Sequence, residues 1–180
     1  MLNKAIYAWY AVYTKPNAEK KILAYLDENE IESYLPLKKT LRQWSDRKKW
    51  VEEPVFRCYL FVKVSHKEFF KVLETTGVVK YVTFGGTPQT IPDTQIENIK
   101  ILVGQQEREI FLSHENIEKG KKAEVLFGPF KGMQGEIVKI YGNSRIAIRI
   151  DALGCNLYAN IKKDEVRMIL KKERAKAKSV

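Results

Sequence analysis

One stretch decides the fold of the N-terminal half: Phe56-Arg57-Cys58-Tyr59-Leu60-Phe61-Val62-Lys63. It is short, rich in aromatic and β-branched residues, and follows Pro54, so it predicts a β-strand. Side chains on a strand alternate between two faces. One face is apolar and is predicted to lie on the core, which would make its cysteine inert: Phe56, Cys58, Leu60 and Val62.

The opposite face of this strand places two aromatic rings between two cations: Arg57, Tyr59, Phe61 and Lys63. Exposed apolar patches bordered by charge often mark a binding surface. Two interpretations stay open. The rings form a docking face, or another element covers them and leaves only the end charges in water.

The composition is that of a globular protein with a preference for anionic partners. The chain has 180 residues and a net charge of +10, which favours nucleic acid as a partner. Its two cysteines are far apart and form no CxxC motif, as expected in a reducing compartment. No stretch approaches the ~20 apolar residues that span a bilayer. We therefore expect a soluble, cytoplasmic protein without membrane contact.

The pattern of apolar residues predicts an α+β domain, an antiparallel sheet flanked by helices. Strands are predicted over 9–14, 31–37 and 78–84, and helices over 18–29, near 69–73 and after Pro92. Asn17 is predicted to cap the first helix.

Residues 38–53 interleave six cations with Trp44 and Trp50. A turn near Asp46 would form a hairpin with the two tryptophans opposite each other. Cations and aromatics together suit contact with phosphates and unstacked bases. The alternative is a solvated hairpin with a cross-strand tryptophan pair.

The second module, 119–170, reads as five short strands separated by turns. This pattern favours a small closed β-barrel, which removes exposed sheet edges. Residues 105–118 lose all periodicity and are predicted to be a linker. Residues 171–180 form a basic tail.

A glycine-rich turn opens this module: Gly128-Pro129-Phe130-Lys131-Gly132-Met133-Gln134-Gly135. Its glycines permit positive φ and close backbone approach, and Phe130 can fill a barrel mouth. The stretch resembles the KOW motif of NusG, Spt5 and some ribosomal proteins, with Gly128, Pro129, Phe130, Gly132 and Gly135 as its signature.

The N-terminal segments extend this resemblance over nearly the whole chain: Trp9-Tyr10-Ala11-Val12-Tyr13-Thr14, Tyr34-Leu35-Pro36, Pro54 to Val62 and Val82-Thr83-Phe84-Gly85. The chain is similar to NusG-family transcription elongation and antitermination factors. Its run Trp44-Ser45-Asp46-Arg47-Lys48-Lys49 before Glu53-Pro54 most resembles the specialised UpxY type, relatives of RfaH, that act on capsular polysaccharide operons. The resemblance implies a NusG-like N-terminal (NGN) domain over 1–104 and a KOW SH3-like barrel over 119–170.

The resemblance also implies site residues and partners, with no cofactor and a monomeric state. The clamp helices of the RNA polymerase β′ subunit would bind Tyr13, Tyr59, Phe61 and Phe84. Non-template DNA in the transcription bubble would contact Lys15, Lys20 and Lys21, which we extend to Arg42 and Trp44. The KOW domain would bind a NusE-type ribosomal protein, Rho or neither, and a fold switch of this domain stays open.

One departure from the family falls within the deciding stretch. Relatives have Leu-Phe-Pro followed by Gly or Asn where this chain has Val55-Phe56-Arg57-Cys58. Loss of the proline makes the entry to the strand less rigid.

Three other functions have to be compared with this one. Catalysis is disfavoured because His66 and His114 belong to no nucleophile motif and no P-loop or metal-ligand spacing occurs. A ribosomal or general RNA-binding KOW protein would lack the aromatic N-terminal pattern. A housekeeping NusG that acts at all genes is not separated from a specialised paralogue by the sequence.

Overall fold

The computed structural model describes residues 5–44, 46–105, 109–114, 120–140 and 143–169. The chain forms two compact units, 1–96 and 97–180. The division lies inside a helix and before residue 104, where the sequence places the end of the first domain. The basic tail at 171–180 lies outside the described residues.

The first unit contains an antiparallel sheet in the order β2-β5-β1-β6, with β9 also paired to β1, and two separate hairpins. Its strands are β1 (Ala8–Thr14), β2 (Ser33–Tyr34), β3 (Leu37–Gln43), β4 (Lys48–Pro54), β5 (Tyr59–Val64), β6 (Val78–Tyr81), β7 (Thr83–Phe84), β8 (Thr87–Pro88) and β9 (Thr90–Ile91). Its helices are α1 (Glu19–Glu28) and α2 (Phe69–Leu73), and α3 (Asp93–Gly104) continues into the second unit.

One hydrophobic core joins the helices to the sheet. Ile22 and Leu26 of α1 and Val72 of α2 lie in one buried cluster with Leu60 and Val62 of β5. Burial of a large aliphatic side chain contributes about 1.5–3 kcal/mol, so this cluster supplies much of the stability of the unit. The predicted α+β arrangement of an antiparallel sheet with helices is confirmed.

The start of α1 differs from the prediction. Asn17 has a φ of 61° and is not the cap; the N-cap position belongs to Ala18, whose side chain makes no capping hydrogen bond. Short polar Asn side chains adopt the left-handed region more readily than most residues, so Asn17 turns the chain instead of capping the helix.

The deciding strand begins at Tyr59, three residues later than predicted. Residues 56–59 form a turn in which the Tyr59 N–H donates to the Phe56 carbonyl at 3.3 Å. Cys58 has a φ of 63° in this turn and is half-buried, so its predicted place on the core face is wrong. Leu60 and Val62 do face the core, as predicted.

The β3–β4 hairpin forms as predicted but in a different register. Trp50 lies opposite Leu41, and the Trp44 N–H donates to the Arg47 carbonyl in the turn at 2.8 Å. The predicted Trp44–Trp50 pair is therefore wrong. The turn lies earlier in the chain than a Trp44–Trp50 pair requires, because Gln43 already faces Lys48.

The second unit contains a six-stranded antiparallel sheet in the order β10-β14-β13-β12-β11-β15. The strands are β10 (Ile110–Ser113), β11 (Lys121–Val125), β12 (Gln134–Ile140), β13 (Asn143–Ile150), β14 (Cys155–Asn160) and β15 (Val166–Met168). β10 lies inside the predicted linker and pairs with β14, so that segment contributes a strand to the unit. Closure of the sheet into an SH3-like barrel stays a prediction.

Within the described ranges, no helix is long and apolar enough to cross a membrane. The same residues contain no group of three His, Cys, Asp or Glu side chains that could hold a metal ion.

Candidate functional site

Two of the predicted polymerase-binding residues form a pair at one end of the main sheet. Tyr13 of β1 lies directly opposite Tyr59 of β5, with ring centroids 5.3 Å apart and planes tilted by 58°. Both residues are half-buried, and the exposed Lys80 of β6 lies opposite Tyr13 on its other side. Facing aromatic residues on neighbouring strands stabilise each other and present a large, rigid surface.

Phe61 does not belong to this surface. It is 0% exposed, stacked against Tyr34 at 6.3 Å and in edge contact with Phe56 at 5.8 Å. The expectation that Phe61 lies on an exposed docking face is therefore wrong, whereas Tyr59 on the same face reaches the surface. Phe61 lies two residues along β5 from Tyr59, opposite Ala11 of β1, and packs inside the unit.

Phe84 is 83% exposed and ends β7, where Gly85 and Gly86 turn the chain with φ of 58° and 81°. The β7–β8 hairpin forms its own two-stranded sheet, so Phe84 and the tyrosine pair lie on different sheets. Val82, the residue just before this hairpin, is hydrogen-bonded to β1, because its N–H donates to the Ala11 carbonyl at 2.9 Å. An exposed phenylalanine at a turn contributes little to folding and is available for a partner.

The predicted DNA-contacting lysines surround the start of α1. Lys15, Lys20 and Lys21 are all exposed, and the Lys15 N–H donates to the Gly77 carbonyl at 2.8 Å. The β1–α1 connection that carries Lys15 lines one side of a surface cleft of about 310 Å³. Arg42 lines the same cleft from the β3–β4 hairpin, so the structure brings the two predicted basic segments to one place.

Arg42 is exposed and forms an ion pair with Glu53, which also lines the cleft. Exposed ion pairs contribute only ~0–1 kcal/mol, so a phosphate can replace the carboxylate as the partner of Arg42 at small cost.

The β3–β4 hairpin exposes three large apolar side chains, of which only Trp44 was predicted to contact DNA. Trp44 is 56% exposed, Trp50 65% and its cross-strand neighbour Leu41 45%. Because facing residues share a face and successive residues alternate, Arg42 lies on the opposite face of the hairpin from Leu41 and Trp50. Hence Arg42 and the Leu41–Trp50 pair cannot contact one ligand group together.

The glycine-rich turn of the second unit buries two large apolar side chains. Phe130 is 1% exposed and Met133 is 0% exposed, and the Gly132 N–H donates to the Val125 carbonyl at 2.9 Å. A Cβ atom at Gly135 would lie 2.7 Å from the Ala147 carbonyl oxygen, so only glycine fits this approach of β12 to β13. Phe130 is therefore buried, and its predicted place in the mouth of a barrel stays a prediction.

Phe127, immediately before this turn, is 64% exposed and was not singled out by the sequence analysis. Its position next to Gly128 was the available signal, because loop residues beside a packed turn commonly face solvent.

Models of two known protein families match the sequence of this chain. The family model described as "Transcription termination factor nusG" matches residues 7–100, which is 94 of the chain's 180 residues, and the KOW motif model matches residues 119–148. The chain belongs to the NusG family. It is a transcription factor of the NusG family, and members of this family interact with RNA polymerase and partner factors.

Two solved structures are similar to this NusG-family chain. NusG of Thermotoga maritima is 22% identical, with a TM-score of 0.47, and the match covers 92% of this chain and 98% of that one. A chain of the MjSpt4:Spt5 complex is 18% identical, with a TM-score of 0.30, and the match covers 91% of this chain and 97% of that one.

A buried glutamate is hydrogen-bonded to the turn that precedes Tyr59, and the sequence did not predict it. Glu19, the first residue of α1, is 4% exposed and accepts a hydrogen bond from the Cys58 N–H at 2.8 Å. The two residues are 39 positions apart, so no local pattern joins them. The available signal was the family departure at Cys58, since Gly and Asn are the residues that accept a positive φ.

The two cysteines differ in environment. Cys155 is 4% exposed, and burial raises the pKa of its thiol to about 12. Cys58 is half-buried in its turn. The inert thiol is therefore Cys155, and the prediction that burial makes Cys58 inert is wrong.

Proposed function

We propose that this NusG-family protein binds RNA polymerase through Tyr13, Tyr59 and Phe84, which contact the clamp helices of the β′ subunit. By bridging the clamp it disfavours the paused enzyme and promotes processive transcription, that is, elongation and antitermination. The observation that carries the proposal is the half-buried Tyr13–Tyr59 ring pair at 5.3 Å. Phe61 acts from beneath the surface by holding β5 in place.

The chemistry of this surface favours a protein helix as its partner. Aromatic side chains bury large areas with few rotamers to freeze, and they dominate binding energy at interfaces. Tyrosine also offers a hydroxyl group to polar atoms at the edge of the contact. The neighbouring Lys80 adds a cation suited to an acidic residue of the partner.

Non-template DNA is the proposed second partner of the first unit. Its contacts are Lys15, Lys20, Lys21, Arg42 and Trp44. Support comes from the exposure of all five residues and from the cleft that both the β1–α1 connection and Arg42 line. Cations bind the phosphates without sequence preference, and an exposed tryptophan can stack on an unpaired base.

The finer assignments rest on the sequence resemblance. We propose a specialised paralogue of the UpxY and RfaH type that acts on capsular polysaccharide operons, as a monomer in the cytoplasm. The alternative is a housekeeping NusG. A NusE-type ribosomal protein or Rho is the proposed partner of the KOW domain, and the exposed Phe127 beside the KOW turn is the residue we expect it to contact.

The test is binding to a reconstituted elongation complex. Tyr59→Ala and Phe84→Ala are each expected to weaken binding by about 30-fold, the effect of losing ~2 kcal/mol at an interface hot spot. Tyr25→Ala is the matched control, because Tyr25 is an aromatic residue 44% exposed on α1, outside the proposed surface.

A second pair of variants separates DNA contact from polymerase contact. Lys20→Glu/Lys21→Glu is expected to reduce affinity most at low salt and to flatten its salt dependence, and Lys71→Glu on α2 is the control. If Tyr59→Ala and Phe84→Ala bind like the wild type with the same steep salt dependence, while Lys20→Glu/Lys21→Glu binds more weakly, the protein binds the complex through nucleic acid alone and the polymerase assignment fails.

A further inference from the structure

Cys58 holds a backbone conformation that its side chain disfavours. Its φ is 63°, in the left-handed region where a Cβ atom crowds the backbone and where glycine is the usual residue. It is the third residue of the 56–59 turn, the position that requires positive φ in several turn types. A residue with a side chain stays there only where the surrounding structure compensates the strain.

The compensation is visible at both polar groups of the Cys58 backbone. The N–H donates to the Glu19 carboxylate at 2.8 Å, and the carbonyl accepts from the Thr14 N–H at 2.8 Å. Glu19 is 4% exposed and lines the surface cleft described above. A carboxylate with so little exposure is costly unless it is hydrogen-bonded. A charge-assisted bond of this kind is stronger than one between neutral groups.

This linkage adjoins the tyrosine pair directly. Thr14 follows Tyr13 on β1, and Cys58 precedes Tyr59 on β5. The Thr14–Cys58 bond therefore extends the β1–β5 ladder one step beyond the ring pair. Glu19, which bonds to Cys58 at this last step, is the first residue of α1, and the same helix carries Lys20 and Lys21.

We propose that Glu19 is a positioning residue that holds Cys58 in its left-handed conformation and thereby sets Tyr59 beside Tyr13 for binding to polymerase. The same carboxylate joins the lysine-bearing start of α1 to the tyrosine pair, so the two surfaces keep a constant relation. This inference rests on the proposed function, since it assigns a role to Glu19 in the same polymerase-binding surface.

The test combines removal of the acceptor with relief of the backbone strain. Glu19→Met keeps the volume of the side chain but cannot accept a hydrogen bond, and we expect it to bind the elongation complex about tenfold more weakly. Glu19→Gln keeps an oxygen acceptor and is expected to bind like the wild type. Cys58→Gly adopts positive φ without support, so Glu19→Met/Cys58→Gly is expected to recover to within about threefold of the wild type.

A matched control separates positioning from general destabilisation. Val72→Ala removes a buried methyl pair from α2, in the same core but away from the turn. At a temperature where all variants are folded, Val72→Ala is expected to bind like the wild type even though its melting temperature falls. NMR contacts between the Tyr13 and Tyr59 rings are expected to change in Glu19→Met and to return in the double variant.

Two outcomes would overturn the inference: wild-type binding by folded Glu19→Met, or a loss that Cys58→Gly fails to repair and that Val72→Ala reproduces. Failure of the proposed function gives a different result. The wild type then does not bind polymerase, while the Tyr13–Tyr59 ring contacts still decide whether Glu19 acts through Cys58.

Discussion

Phe61 and Phe84 share a residue type and a predicted role, but the structure gives them opposite environments. Phe61 is 0% exposed and Phe84 is 83% exposed. Truncation of a buried phenylalanine to alanine costs ~3–5 kcal/mol, because apolar area is returned to water and a cavity is left behind. Truncation of an exposed one away from special features usually stays within about 0.5 kcal/mol. Phe61→Ala should therefore unfold far more easily than Phe84→Ala.

The expected shifts are large enough to measure in the full chain. For a domain of 60–100 residues, 1 kcal/mol lowers the melting temperature by about 4–8 °C, so Phe61→Ala should melt at least about 12 °C below the wild type. Phe84→Ala should melt within about 4 °C of it. The three tryptophans, Trp9, Trp44 and Trp50, all lie in the first unit, so their fluorescence reports its unfolding alone.

Binding to the elongation complex, measured where both variants are folded, should show the reverse order. Phe84→Ala should lose affinity and Phe61→Ala should retain most of it. If Phe61→Ala melts with the wild type and abolishes binding, then Phe61 contacts polymerase directly, and the burial argument and the assignment of its supporting role are both refuted.

Two further predictions concern the second unit and the thiols. Gly135→Ala should destabilise the β12–β13 pair by about 1–3 kcal/mol, because the new methyl group lies 2.7 Å from the Ala147 carbonyl oxygen. Faster amide hydrogen exchange in these two strands would show the loss of stability. Gly104→Ala is the control, because an added Cβ atom there meets nothing within 4 Å. Iodoacetamide at pH 8 should label Cys58 in the native protein, whereas Cys155, with a pKa of about 12, should react only after unfolding in urea. Mass spectrometry of the labelled peptides decides this, and equal labelling of both thiols in the native protein would contradict it.

Much of the element pattern could be predicted from the sequence because it depends on local chemistry. Alternating apolar residues predicted β1 and the core side of β5, and helical spacing predicted α1 and α2. The glycines of the KOW turn predicted a close approach of two backbone segments, and the structure has one at Gly135. Phe130 in the same turn is buried. These features need only the conformational preferences of neighbouring residues.

The remaining features depend on which segments meet in space. Alternation placed Tyr59 and Phe61 on one face of β5, but it did not say that Tyr34 and Phe56 would cover Phe61 and leave Tyr59 at the surface. The Leu41–Trp50 pairing followed from where the hairpin turn closed, since a small shift of the turn changes every facing pair.

The Glu19–Cys58 bond shows the same division most clearly. By itself, the sequence determined that residues 59–63 lie in a strand and that a helix follows β1. Only the tertiary structure brought the Glu19 carboxylate, 39 residues away in sequence, within hydrogen-bond distance of the Cys58 N–H. That bond compensates the strain of the left-handed backbone conformation at Cys58. A local pattern records the preferences of neighbouring residues, whereas burial and long-range hydrogen bonds are set only when distant segments of the chain pack against each other.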